Sequence, residues 1–178
     1  MQDALSRFPP NRTASLKRLQ RFVPLAGRDY AARRNYDLGR DGHIGVSTLS
    51  PYLRARLITE EEVLAAVLAR HSASPAQKFV QEVFWRTYWK GWLELRPSVW
   101  TQYQSALNQR LNEVQTQSGL RERWEAACLG QTDITCFNAW AQELTETGYL
   151  HNHARMWFAS IWIFTLRLPW ELGADFFL

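Results

Sequence analysis

The sequence is short of cysteine and lysine, and it has no long apolar run. Cys128 and Cys136 are its two cysteines, eight positions apart, a spacing that fits neither a metal site nor a redox pair. We therefore expect reduced thiols in an intracellular, cytoplasmic protein. The longest apolar run, Met156–Leu166, is about half of the length that a membrane span needs. The polar N-terminus has no signal-peptide core, so the sequence predicts a soluble protein without membrane association.

Arginine replaces the missing lysine, and its distribution is uneven. It supplies 18 of the 21 basic side chains. Residues 1–60 hold 11 basic and 5 acidic side chains, a balance of +6, whereas the remainder holds 10 and 12, a balance of −2. Because a guanidinium binds phosphate bidentately, the basic first third indicates a polyanion or a phosphorylated cofactor. Arginine-rich usage also reflects GC-rich genomes, so charge alone leaves both explanations open.

Helix signals recur along the chain, and no convincing alternation of apolar and polar residues predicts a strand. The predicted helices are Arg12–Phe22, Glu60–Arg70, a central helix that begins at the Ser74-Pro75 pair and stops at Pro97, Trp100–Val114, Leu120–Cys128, Thr135–Thr147 and His151–Leu168. Their expected boundary signals are a capping box at Thr59 and Glu62, an N-cap at Ser74 with Pro75 at N1, an interruption at Gly119 and a C-terminal glycine at Gly148. The predicted fold class is all-α, a multi-helix bundle that occupies residues 1–178 as a single domain.

Residues 29–52 differ from the rest because glycine punctuates them, and we predict irregular structure there. The segment ends in hydroxyl side chains, Ser47, Thr48 and Ser50, after the basic pair Arg33-Arg34. A glycine-rich loop that leads into a helix is suited to anions, because its backbone N–H groups point outward. The segment matches neither the Walker pattern nor GxGxxG, so the motif test by itself does not identify the anion.

The stretch Lys78–Trp92 (KFVQEVFWRTYWKGW) is apolar on nearly all sides when drawn as a helix, which predicts that it is buried. Glu82, Trp85, Arg86 and Trp89 nevertheless fall at i, i+3, i+4 and i+7, on one face. Buried charges are unfavourable unless they are paired, bound to a ligand or facing a cavity. The polar face of this helix is therefore a candidate site.

The helix predicted at the C-terminal end repeats this combination with Asn152, Arg155 and Met156 on one stripe. Apolar cavities with a few convergent polar groups are typical of cofactor sites. The alternative is that Glu82 pairs with an arginine such as Arg86 or Arg155 inside an ordinary core. The histidines lack metal-ligand spacing and the serines lack a nearby base, so we predict neither a metal site nor nucleophilic catalysis.

Four segments, in order, resemble the flavin-binding helical domain of the photolyase/cryptochrome family. They are Tyr30–Asn35 with Val46–Leu53 (VSTLSPYL), Gln81–Trp89 (QEVFWRTYW), Thr135–Trp157 (TCFNAWAQELTETGYLHNHARMW) and Leu168–Phe177 (LPWELGADFF). Together they span residues 28–178, and four similarities in register are far more specific than any one. The resemblance implies part of that domain, truncated at its C-terminus and without the N-terminal antenna domain.

The resemblance also implies roles for individual residues around FAD bound in a helical bundle. The residues implied to hold the cofactor's phosphates are Tyr30, Ser47, Thr48, Leu49, Ser50 and Arg86, with Arg155 beside the isoalloxazine ring. Those implied to line the pocket for the lesion are Glu82, Trp85, Asn152 and Met156. Trp170 matches a tryptophan of the relay that photoreduces the flavin.

The function that the resemblance implies is light-dependent DNA repair by a deoxyribodipyrimidine photo-lyase, a carbon–carbon lyase. UV-damaged DNA would present a flipped-out cyclobutane pyrimidine dimer, and excited reduced flavin would donate an electron to it. Glu82 would bond the pyrimidine edge, and Trp85 would stack on the dimer. Two alternatives stay open, namely a cryptochrome-like photoreceptor without repair activity and a helical domain without a cofactor. The presence of both Glu82 and Trp85 favours repair.

Overall fold

The computed structural model describes residues 6–178, and within them the secondary structure is helical, with no strand. The predicted all-α class is therefore confirmed. The chain divides into two compact units, Met1–Gly91 and Trp92–Leu178. The assignment of residues 1–178 to a single domain stays a prediction. None of the helices within residues 6–178 has both the length and the apolar character that crossing a membrane requires.

The first unit consists of short helices followed by one long helix. They are α1 (Arg12–Phe22), a 3₁₀ turn (Val23–Leu25), α2 (Arg28–Arg33), a second 3₁₀ turn (His43–Gly45), α3 (Ser50–Arg54), α4 (Glu60–Leu68) and α5 (Ala73–Glu94), whose last three residues are counted with the second unit. Side chains cap α1 and α4 at their first turns. Asn11 accepts a hydrogen bond from the Ala14 N–H at 2.8 Å, and Thr59 with Glu62 forms the predicted capping box of α4.

Aromatic rings pack against one another in the core of the first unit. Phe79 of α5 lies 4.9 Å from Phe22 and 5.2 Å from Tyr30, measured between ring centroids. His71 adds a polar link, because its Nε2 lies 2.7 Å from the Val23 carbonyl oxygen. At Gly27 a Cβ atom would lie 2.8 Å from the His71 ring, so glycine is required for this close approach.

Two predictions for the first unit need correction. Residues 34–49 are irregular as predicted, apart from the 3₁₀ turn, but α2 and α3 occupy the two ends of the segment 29–52 that was predicted to be irregular. Helix α5 begins at Ala73, so Ser74 is not its N-cap. Here the Ala76 N–H donates to the Ser72 carbonyl oxygen, and the helix thus starts two residues earlier than an N-cap at Ser74 with Pro75 at N1 indicates.

The second unit is a helical bundle in which a glycine ends one of the helices. Its helices are α6 (Pro97–Thr116), α7 (Ser118–Cys128), α8 (Thr135–Thr147), α9 (Asn152–Ser160), a π-helical turn (Ile161–Thr165) that continues α9, and α10 (Trp170–Phe176). Gly148 ends α8 as predicted, in the left-handed conformation with φ 66°. Gly119, predicted to interrupt a helix, lies inside α7, whose start is set at Gln117 instead.

Stacked aromatic rings form the centre of this second core. Phe158 of α9 lies 4.2 Å from Phe137 of α8 and 5.7 Å from Trp162, with the ring planes nearly parallel. Phe176 of α10 stacks on the same Phe158 ring at 5.8 Å. Helix α10 is not among the predicted helices, because its seven residues are too few to show a helical period. Its apolar side chains complete the bundle.

Candidate functional site

Glu82 of α5 is held by an ion pair with Arg34. The Arg34 Nη1 lies 2.5 Å from the Glu82 Oε1, and both side chains are partly shielded from solvent. Glu82 lies beside the buried face of α5 formed by Ala76, Phe79 and Val83. The alternative interpretation, in which Glu82 pairs with an arginine, therefore gave the kind of interaction correctly. The partner is Arg34, directly after α2, and neither Arg86 nor Arg155. A hydrogen-bonded carboxylate at a half-buried position is directed and available to an additional polar ligand.

Arg86, one helical turn further along α5, is paired with a different carboxylate. Its Nε lies 3.2 Å from Glu60 Oε1, while Glu60 Oε2 accepts from Arg56 at 2.9 Å. Burial raises the pKa of Glu60, but hydrogen bonds and the two arginines outweigh it, and the pKa is lowered overall. One carboxylate shared by two guanidinium groups leaves this cluster with a net charge of +1. It can still attract an anion.

The prediction that α5 is buried on nearly all sides is wrong. Trp85 is 53% exposed, and Phe84, Tyr88 and Trp89 are similarly exposed. Tyr88 lies edge-on between its neighbours, 5.5 Å from Trp85 and 5.3 Å from Trp89. We call the exposed side chains Phe84, Trp85, Tyr88 and Trp89 the aromatic stripe. Part of it lines a shallow depression of about 570 Å³, which offers flat surfaces for stacking.

The hydroxyl-rich loop lies at the start of α3. Thr48 has φ 49°, in the left-handed region, and the following Leu49 is right-handed with φ −88° and ψ −10°. A left-handed residue next to a right-handed one turns successive N–H groups towards one side, which makes an anion-binding concavity. Ser47 Oγ accepts the Leu49 N–H at 3.3 Å. Ser50 is exposed, whereas Leu49 is buried and serves the core.

Tyr30, implied to be a phosphate ligand, is a core residue in this structure. It is buried, and its ring packs edge-on against Phe22 at 5.8 Å and Phe79 at 5.2 Å. Since Tyr30 is the third residue of α2, it carries the segment that leads to Arg34. Its packing in the core therefore helps to position that arginine.

The predicted site residues of the second unit lie along an exposed face of α9. Asn152 and Arg155 are exposed, and Met156 is 61% exposed. Arg155 turns back over the preceding loop, where its Nε donates to the Leu150 carbonyl oxygen at 3.1 Å and its guanidinium lies 6.0 Å from the Tyr149 ring. The predicted stripe is confirmed as a shared face, although it is not buried.

Trp170 at the start of α10 belongs to a row of aromatic rings. Its ring lies 5.8 Å from Tyr103, which lies 5.5 Å from Trp100. Trp170 and Trp100 are both about half exposed, whereas Tyr103 is buried, and burial raises the pKa of Tyr103, with Asp175 adding to the effect. Sequence reasoning missed Tyr103 and Trp100. Their spacing of three residues on a predicted helix was the available signal.

The first unit thus brings together Glu82, Arg34, Arg86 and the aromatic stripe on α5, and it presents the Ser47–Ser50 loop at α3. The second unit brings together Asn152, Arg155 and Met156, with Trp170 in a separate aromatic row. Within residues 6–178, no three side chains among His, Cys, Asp and Glu form a group that suits a metal ion. The donor set is one of hydroxyl, N–H and guanidinium groups beside flat apolar rings, which is the chemistry of a phosphorylated aromatic cofactor.

A helical protein with such a donor set is expected among nucleotide- or flavin-binding domains. Comparison with known proteins identifies the family. Residues 79–178 match the family described as the FAD binding domain of DNA photolyase. The chain belongs to this family, and FAD is the cofactor that the family indicates.

Individual relatives agree with this assignment. The chain is 31% identical over 180 residues to a deoxyribodipyrimidine photo-lyase from a Synechococcus species, covering 96% of this chain and 36% of the relative. It is 29% identical over 179 residues to the photo-lyase of Agrobacterium fabrum, covering 96% and 34%. The crystal structure of a bacterial class III photolyase from Agrobacterium tumefaciens superposes with a TM-score of 0.76 at 28% identity, covering 99% of this chain and 36% of that one. The chain spans about a third of the length of these relatives.

The residues present fit the phosphate-bearing part of FAD. The Ser47–Ser50 loop supplies hydroxyl groups and a left-handed turn at Thr48, and these features suit phosphate oxygens without any acidic side chain in the loop. Gly45 brings the loop close to α2, because a Cβ atom there would lie 3.0 Å from the Arg33 carbonyl oxygen. The fit concerns the first unit by itself.

Proposed function

We propose that this chain is the FAD-binding part of a light-dependent DNA repair enzyme, a deoxyribodipyrimidine photo-lyase that splits pyrimidine dimers in UV-damaged DNA. The observation that carries the proposal is the polar face of α5, where the Arg34-bound Glu82 lies next to the exposed ring of Trp85. The photo-lyase relatives favour repair over the light-signalling alternative. A cytoplasmic location remains a prediction.

The first unit would hold the cofactor and contact the lesion. The Ser47–Ser50 loop and Arg86 would bind the phosphates of FAD, and Tyr30 would support that loop from the core. Bound in reduced form, FAD supplies an excited-state electron donor. Trp85 would stack against the flipped-out dimer, whose extrusion is less costly because its base pairing is already damaged.

Glu82 would hydrogen-bond the pyrimidine edge of the dimer. Its Oε1 already accepts from Arg34 at 2.5 Å, so the carboxylate is fixed in direction before the substrate arrives. Fixed polar groups stabilise developing charge more effectively than mobile ones, because no reorganisation is needed during the reaction. Arg34 would thus share in positioning Glu82, a role that the prediction from sequence did not assign.

For the second unit, the family resemblance implies that Asn152 and Met156 are lesion contacts and that Arg155 is a flavin contact. Their exposed positions on α9 support this assignment, since side chains that already fill a core are not available to a ligand. Trp170 would pass electrons. Tyr103 and Trp100 would continue this relay, since neighbouring rings in the row Trp170–Tyr103–Trp100 are 5.5–5.8 Å apart.

Two measurements on the purified protein test the proposal. We expect a flavin absorption spectrum after incubation with FAD, and blue-light repair of an oligonucleotide that contains a thymine dimer. Glu82→Gln should reduce the repair yield at least tenfold, since it removes the charge but keeps the shape. The matched control is Glu94→Gln, an exposed glutamate on the same helix, which should repair normally. A colourless preparation that takes up no FAD, or one that binds FAD but repairs no dimer, would overturn the proposal. Equal repair by both variants would overturn the role of Glu82.

A further inference from the structure

Arg18 of α1 contacts the Ser47–Ser50 loop from a helix to which no site residue was assigned. Its Nη1 donates to Thr48 Oγ1 at 2.5 Å, and its Nη2 donates to the Arg7 carbonyl oxygen at 2.9 Å. The guanidinium carbon lies 4.8 Å from the centroid of the Phe8 ring and 5.9 Å from that of Tyr52. Hydrogen bonds and ring contacts on several sides fix the position of this half-buried cation.

Thr48 is the residue on which this fixed cation acts. Its φ of 49° lies in the left-handed region, where a β-branched side chain is an outlier. Conformations of this kind persist only when their surroundings hold them. The Thr48 hydroxyl is held on both sides, because it donates to the Ser47 carbonyl oxygen at 2.7 Å and accepts from Arg18.

The Thr48 conformation determines the shape of the whole loop. Leu49 is buried and right-handed, so the reversal of backbone hand at Thr48 sets the direction of the N–H groups that follow. If Thr48 relaxed to a negative φ, these groups would diverge, and the concavity at the start of α3 would be lost. A cation that fixes the hydroxyl of Thr48 therefore fixes the loop backbone.

We propose that Arg18 is a positioning residue that holds Thr48 in the left-handed conformation and so preshapes the loop for the phosphates of the cofactor. The inference rests on the proposed function, because it takes the Ser47–Ser50 loop as the phosphate site of FAD. Arg18 acts through Thr48 in this proposal and need not touch the cofactor. Its charge adds a favourable field for the phosphates nearby.

The test compares the dissociation constants of FAD and of riboflavin, which lacks phosphate. Because a left-handed conformation is unfavourable for a residue with a side chain unless it is supported, Arg18→Ala should raise the Kd for FAD about tenfold. The Kd for riboflavin should stay unchanged. Arg21→Ala, an exposed arginine on the same helix, is the matched control and should bind both ligands like the wild type.

A second substitution separates positioning from general stability. Glycine adopts positive φ without strain, so Thr48→Gly in the Arg18→Ala background should recover most of the lost FAD affinity. A purely structural role for Arg18 predicts no such recovery and a parallel loss of riboflavin binding. Should Arg18→Ala fail to fold by circular dichroism, Arg18→Lys, which keeps a donor but loses the fork, is measured in the same way.

The outcomes distinguish this inference from the proposed function. Wild-type protein that binds no FAD overturns both. Wild-type protein that binds FAD, together with an Arg18→Ala variant whose Kd for FAD is within twofold of the wild type, overturns the role of Arg18 alone. FAD-selective weakening that Thr48→Gly reverses supports it.

Discussion

Helices α5 and α9 are both rich in aromatic residues, yet they use them in opposite ways. On α9 and its π-helical turn, Phe158 and Trp162 are buried to 0% and 1% exposure and stack against α8 and α10. On α5 the aromatic stripe is exposed, and the buried face consists of Ala76, Phe79 and Val83. The first set of rings stabilises the fold, and the second is available to a ligand.

The two helices are also anchored differently. Around α5 the contacts include ion pairs, namely Arg34 with Glu82 and Arg86 with Glu60. Around α9 the contacts are ring against ring. The polar side chains of Asn152 and Arg155 lie outside the core. Aromatic content alone therefore does not distinguish a core helix from a binding helix. Substitutions on each helix test this difference.

Truncating the central ring of the second core should have the largest effect. Phe158→Ala removes a fully buried ring that contacts Phe137, Trp162 and Phe176, and it should lower the free energy of unfolding by about 3–5 kcal/mol. Urea unfolding followed by far-UV circular dichroism measures the change. The control is Phe164→Ala in the adjoining π-helical turn, where the ring is exposed and a loss below about 0.5 kcal/mol is expected. Equal losses would contradict the assignment of Phe158 to the core.

Truncating a ring of the aromatic stripe should affect binding rather than folding. For Trp85→Ala we expect a change in unfolding free energy below about 0.5 kcal/mol. The affinity for dimer-containing DNA should fall by about 1–3 kcal/mol, because one stacking surface is lost. Fluorescence anisotropy of a labelled oligonucleotide measures binding. A large loss of stability with unchanged binding would place Trp85 in the core and remove the contrast with α9.

Acid should loosen the first unit before the second. The hydrogen bond from Arg12 is the main cause that lowers the pKa of Glu62 from 4.5 to about 2. A lowered folded-state pKa stabilises the fold fully above pH 4.5, and this contribution is lost as the pH falls towards 2. Hydrogen-exchange protection factors, which correct for the intrinsic pH dependence of exchange, should therefore fall in α1 and α4 over that range, while the stacked core around Phe158 remains protected.

Glu62→Gln isolates this effect, because glutamine preserves the capping box but carries no charge. The variant should already have lower protection factors in α1 at pH 6, and these should depend less on pH between 4.5 and 2 than those of the wild type. A variant with the same pH profile as the wild type would show that Glu62 does not anchor α1 to α4.

The smallest expected effect is a difference in labelling rate between the two cysteines, which reports how tightly the second unit is packed. Burial raises the pKa of Cys128 to about 11, with Asp175 and Glu125 adding to the shift, whereas Cys136 is exposed. Since the thiolate is the reactive form, iodoacetamide at pH 8 should label Cys136 first. Mass spectrometry after brief labelling should find Cys128 modified only after unfolding. Equal labelling rates would indicate that the second core opens readily.

Much of the helical pattern was predictable because the signals are local. The capping box at Thr59 and Glu62 and the C-terminal glycine at Gly148 act within one helical turn, and α1 and α8 have the predicted bounds. The segments that resemble the photolyase/cryptochrome family also stand in the sequence itself, so the fold class and family could be predicted from sequence alone. Short helices such as α2 and α10 could not, since they show too few residues for a period.

The tertiary structure alone decided which aromatic rings are buried and which partners the charged groups have. Glu82 bonds to Arg34, Arg86 to Glu60 and Thr48 to Arg18, and these pairs are separated by 26 to 48 residues. Local periodicity carries no information about contacts at such separations, because they form only when helices meet. The sequence by itself therefore determined a helical, FAD-family chain, whereas packing decided that α5 presents its aromatic stripe to solvent and that Arg18 bonds to Thr48 of the Ser47–Ser50 loop.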